Sequence, residues 1–149
     1  MLQELQVAVT LIRVALISSA MFLAACATPL QLPANPADRD PAAGTIVFYR
    51  PMAIFGAGQR PDLLIDGVLV GRSIPGERFT AKASPGHRVV SSPSTMYGGV
   101  MTLDVDVRAG ETIYVRTSMG GPSWAGLANV ELIEEATATK EMRALNAAR

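Results

Sequence analysis

From Gly44 onward, apolar and polar positions alternate in short runs separated by turn residues. Thr45-Ile46-Val47-Phe48-Tyr49-Arg50 is β-branched and aromatic, and Pro51 ends it, as expected of a strand. Leu63-Leu64-Ile65 and Val68-Leu69-Val70 flank Asp66-Gly67, the pair that a two-residue hairpin turn prefers because both positions need positive φ. Arg78 to Ala83 reads as another short strand. Pro85-Gly86 then turns the chain into His87-Arg88-Val89-Val90-Ser91. Leu103, Val105 and Val107 alternate with Asp104, Asp106 and Arg108, which predicts a half-buried strand. Ala109-Gly110 leads to Thr112–Thr117, with Ile113 and Val115 on one face, and Leu127–Ile133 is the last expected strand. These spacings predict a small antiparallel β-sandwich of about seven strands.

Over residues 134–148 the period changes. Ala138, Met142 and Leu145 recur at i, i+4 and i+7, which predicts one C-terminal α-helix. In the Asp66-Gly67 hairpin, Leu63, Ile65, Val68 and Val70 share one face while Leu64 and Leu69 point to the other. That second face needs cover, and the helix stripe is expected to dock over Leu64 and Leu69.

The chain before Gly44 follows other rules. Val14 to Ala25 is an uncharged, mostly apolar run of twelve residues preceded by Arg13. It is shorter than the ~20 residues that cross a bilayer and matches the apolar region of an export signal. It ends in Leu23-Ala24-Ala25-Cys26, which resembles the lipobox of bacterial lipoproteins. The resemblance implies cleavage before Cys26 and three acyl chains on that residue, enough for stable anchoring. Ala27 stands where an aspartate commonly retains such proteins in the inner membrane, so the resemblance favours the periplasmic face of the outer membrane. Pro29, Pro33, Pro36 and Pro41 then mark residues 27–43 as an extended tether with a reach of roughly 50 Å. The expected organisation is a signal peptide over 1–25, a lipidated cysteine and Pro-rich tether over 26–43, and a folded domain over 44–149.

Several features together resemble one family. They are the lipobox, Val47-Phe48-Tyr49-Arg50-Pro51, Ile65-Asp66-Gly67 with Val70-Gly71, Ser84-Pro85-Gly86-His87, and Ala109-Gly110-Glu111 before Tyr114-Val115-Arg116. In order and spacing they are similar to the bacterial lipoproteins that carry domain of unknown function 2846, over roughly Gly44 to Ile133. The resemblance implies a small β-sandwich and brings no reaction or catalytic residue with it.

Composition narrows the chemistry. Apolar residues make up 49% of the chain and charged residues 17%, an ordinary globular balance. Thirteen basic and thirteen acidic residues cancel, leaving no overall field to attract nucleic acid. With Cys26 committed to lipid, His87 alone does not make a zinc site, and no metal or cofactor is expected. Gly121-Pro122-Ser123-Trp124-Ala125 has the outline of a nucleophile elbow. It lacks a downstream histidine and an α/β setting, so no enzyme activity is expected. Phe55-Gly56-Ala57-Gly58-Gln59 lacks the third glycine and following helix of a phosphate loop. Asp104 and Asp106 share a strand face with Arg108, which reads as a solvated surface.

Two apolar, glycine-bearing loops remain, Met52–Gly56 and Met119–Gly126, and the first expectation is that Ile54, Phe55 and Trp124 cap the sandwich ends. As interaction candidates the sequence offers Phe55, Trp124 and Tyr97. The expected function is a non-catalytic envelope lipoprotein. It would be held in the membrane through lipidated Cys26 and would bind an envelope protein or the cell wall. The alternative is an accessory module for a small ligand or glycan at the loops around Trp124 and Tyr97. Replacing Cys26 by alanine is expected to abolish incorporation of a fatty-acid probe and membrane retention; equal labelling of the variant would contradict the lipobox reading.

Overall fold

The computed structural model describes residues 34–94, 96, 98–119 and 127–147. They form a two-sheet β-sandwich with one helix at the C-terminal end, as the pattern predicts, in eight strands rather than about seven. The strands are β1 (Gly44–Tyr49), β2 (Asp62–Ile65), β3 (Val68–Arg72), β4 (Arg78–Ala83), β5 (Gly86–Pro93), β6 (Val100–Val107), β7 (Thr112–Ser118) and β8 (Asn129–Ile133). One sheet has the order β4-β1-β7-β8 and the other β3-β2-β5-β6. Neighbours pair antiparallel except β1 and β7, which run parallel.

Period-two alternation sends one set of side chains between the sheets. Ile46 and Phe48 of β1, Leu63 and Ile65 of β2, Val90, Val105, Val107 and Val115 are all buried in one cluster. Phe48 and Phe79 are paired across β1 and β4 and stack at 5.1 Å. The Phe79 ring reaches across to β3, where a Cβ on Gly71 would come within 2.5 Å of it. Only glycine allows this approach, which closes one side of the sandwich.

The Asp66-Gly67 turn forms as expected, with φ of 49° and 80°. Asp66 also ties the hairpin to β5: its Oδ1 accepts from the Val89 amide at 2.9 Å and its Oδ2 from Arg88 Nη1 at 2.9 Å. Burial alone would raise the Asp66 pKa; the Val89 amide and Arg88 outweigh it and hold the carboxyl below its ordinary value.

The helix, α1 (Glu135–Ala147), does not dock where the sequence pattern suggests. Ala138, Met142 and Leu145 are buried, but against Tyr49, Val47, Tyr114 and Ile133 on the outer face of the β1-containing sheet. Leu64 and Leu69 lie in the other sheet, paired with each other and half-buried. The physical reason lies in β1, which is apolar on both parities. Its even positions fill the sandwich and its odd positions, Val47 and Tyr49, need the helix. A β-bulge between Leu63 and Leu64 further shifts the facing in the hairpin.

The tether expectation also needs correction at its C-terminal end. Pro36–Arg39 is a 3₁₀ turn, not extended chain. Asn35 caps it, its Oδ1 accepting from the Ala37 amide at 3.1 Å, while its Nδ2 donates to the Lys82 carbonyl at 2.7 Å. Ala37 and Ala43 are buried, so residues 35–43 belong to the folded domain. Cys26 and the signal segment lie outside the described residues.

Met142→Ala is expected to lower stability by about 2–4 kcal/mol through cavity formation under the helix. Leu64→Ala, at a half-buried site, is expected to cost clearly less. Urea unfolding midpoints check the pair; equal losses would contradict the docking of α1 on β1.

Candidate functional site

The alternation that buries Ile46 and Phe48 also aims the next even position, Arg50, into the end of the sandwich. Its side chain is only 1% exposed, and among the described residues no carboxylate pairs with it. Backbone oxygens surround it instead. Nη1 donates to Gln59 O at 2.9 Å and Ser73 O at 3.2 Å, and Nη2 donates to Gly56 O at 2.8 Å. The Arg50 amide donates to Glu77 O at 3.0 Å, and Arg50 O accepts from the Gly76 amide at 2.9 Å. Burial lowers the guanidinium pKa, yet arginine stays charged in proteins. Hydrogen bonds to a charged group contribute about 1.5–3 kcal/mol each and counter much of the desolvation of the cation, although Nε is buried with no partner among the described residues.

This arrangement fixes the loop over residues 51–60. Gly56 sits at φ 70°, and a Cβ there would lie 2.6 Å from the Met119 side chain. Below it, the Ser73 and Thr117 hydroxyls are 2.7 Å apart, and Ser73 N donates to Pro61 O at 2.9 Å. The loop so held turns apolar side chains to water. Ile54 is 98% exposed, Met52 68% and Phe55 57%, with Met96 55% exposed nearby, its sulfur 3.5 Å from Gln59 Nε2. Ile54 and Phe55 therefore do not cap the sandwich, contrary to the sequence expectation; Arg50 fills that end.

Two clefts flank Met52 and Pro75. One, of about 640 Å³, runs between Pro51, Met52, Pro75–Glu77 and the last turns of α1. The other, of about 660 Å³, lies on the loop side among Ile54, Ala57, Arg60 and Ile74. In the wall of the first cleft, Arg116 donates through Nη1 to Glu141 at 2.7 Å and through Nη2 to Glu131 at 2.8 Å. Tyr49 Oη donates to Glu141 at 2.8 Å. Burial, and then this bond, push the Tyr49 pKa well above its ordinary value, so the phenol remains a donor.

Of the interaction candidates read from the sequence, Phe55 is in the exposed loop, while Trp124 and Tyr97 lie outside the described residues, as does Ser123. Asp104 and Asp106 are exposed on the outer face of their sheet, as expected. The His87 ring lies beside both, with Nε2 3.2 Å from Asp104 and Nδ1 3.5 Å from Asp106, while the Arg108 amide donates to Glu111. Among the described residues no cluster of three or more His, Cys, Asp or Glu is placed to hold a metal ion. Sequence reading missed Arg50, because a basic residue before proline looks like a strand end. The available signal was its parity with Ile46 and Phe48. Compared with protein families, curated proteins and solved structures, the chain has no match.

Proposed function

We propose that the chain is a non-catalytic lipoprotein of the cell envelope, similar to the family of domain of unknown function 2846. In this reading it is exported, acylated on Cys26 and held at the periplasmic face of the outer membrane. There it binds another envelope protein through the loop end of the sandwich. The lipobox resemblance supports the anchoring. One observation carries the binding role: Met52, Ile54 and Phe55 face water on a loop that a buried arginine holds in place. A loop with no function would let these side chains fold inward, because burying each is worth about 1.5–3 kcal/mol. Fixed exposed apolar groups fit a partner surface. The aliphatic character of Met52 and Ile54 favours protein over cell-wall glycan, which polar groups and aromatic faces would serve better.

A photo-crosslinking residue at Ile54 is expected to give a protein adduct of discrete mass in intact envelopes. The same residue at exposed Lys140 on α1 is expected to give none, and Phe55→Asp is expected to remove the Ile54 adduct. Absence of an adduct at Ile54, or an identical one from both positions, would contradict this binding surface.

A further inference from the structure

The cleft beside α1 adjoins the apolar loop tip, sharing Met52 with it, and adds the chemistry of the helix side. We propose that it binds a small cationic amphiphile, a molecule with an apolar body and an amine or similar positive group. Its volume of about 640 Å³ suits a small organic ligand. Pro51, Met52, Pro75, Ala144 and Leu145 supply apolar walls.

The charged groups at its edge decide the sign of the ligand. Arg116 is the sole cation among the lining residues, and both its terminal nitrogens are already bound to Glu141 and Glu131. Glu141 is likewise satisfied by Arg116 and Tyr49. Glu77 differs: among the described residues its carboxylate has no hydrogen bond or ion pair, while its backbone is fixed by Arg50 and Ile74. The last turn of α1 also borders the cleft and contains no basic residue, so its carbonyls add partial negative charge. Among the described lining residues, an anionic ligand would face Glu77 and the helix end with no cation except Arg116, which is already bound. A neutral ligand would gain nothing from Glu77, whose exposed carboxylate would stay hydrated. A cation beside Glu77, with its apolar body against Pro51, Pro75 and Leu145, satisfies both walls and charge. Glu77 also lines the neighbouring cleft, where Arg60 is the cation, but among the described residues no ion pair joins the two. This inference rests neither on lipid attachment nor on a partner at Ile54.

The test compares three probes of one shape with the full chain: 4-phenylbutylamine, 4-phenylbutanol and 4-phenylbutyrate, each titrated calorimetrically. Fragments of this size bind in the millimolar range. The amine is expected to bind roughly threefold to tenfold more tightly than the alcohol, as one partly exposed charge pair allows, with the carboxylate weakest. Glu77→Gln should reduce the amine to the affinity of the alcohol and leave the alcohol unchanged. Ala144→Trp, at an exposed helix position, should block all three while the melting temperature stays near that of the parent. The proposal is overturned if no probe binds up to about 10 mM, or if the alcohol or carboxylate equals the amine. It is also overturned if Glu77→Gln keeps the preference or if folded Ala144→Trp binds normally. Binding of an apolar lysine-containing peptide with none of the amine would likewise overturn it, in favour of a protein occupant.

Discussion

A buried guanidinium holds one end of this sandwich together. Arg50 is carried inward by strand alternation and, among the described residues, pairs with no carboxylate; its guanidinium bonds the carbonyls of Gly56, Gln59 and Ser73. A cation without a counter-ion is a costly group to bury, and it remains tolerable only while those carbonyls are aimed at it. The loops that supply them are thus constrained together. If any one moves, the others lose a shared donor. The apolar loop tip and the cleft next to Pro75 both inherit their geometry from this centre, because Gly76 and Glu77 bond the Arg50 backbone.

The β1 strand joins this centre to the rest of the domain. Its even positions, Ile46, Phe48 and Arg50, face between the sheets; its odd positions, Val47 and Tyr49, face α1. The helix then contributes more than cover. Glu141 accepts from both Tyr49 and Arg116, so the outer face of the sheet, the helix and the cleft wall share one hydrogen-bonded group. Apolar packing under α1 and polar bonding at its edge fix the same helix, and its last turn is left against the cleft.

Much of this was legible in the alternation alone. The hairpin at Asp66-Gly67, the inward set of Val105 and Val107, and the helix with its stripe of Ala138, Met142 and Leu145 follow from local chemistry. The site of helix docking does not, because a stripe shows that cover is needed without showing which surface supplies it. Val47, Tyr49, Tyr114 and Ile133 come from three strands and meet only in the folded sheet. Arg50 was hidden for a similar reason: its three carbonyl partners lie 6, 9 and 23 residues away and carry no side-chain signature. By contrast, the turn at residues 36–39 was readable, since Asn followed by Pro is a good helix start, but the density of prolines around it suggested a tether.

Amide hydrogen exchange in Arg50→Met tests the central constraint most directly, since methionine keeps an apolar stem and removes every side-chain donor. The amides of Ala57 and Gln59, which bond within the loop, are predicted to exchange at least about tenfold faster, because each lost charged hydrogen bond is worth about 1.5–3 kcal/mol. That acceleration should exceed any change at Ile46 and Val115 in the core. Equal exchange of the loop amides in both proteins would contradict the claim that Arg50 holds the loop in place.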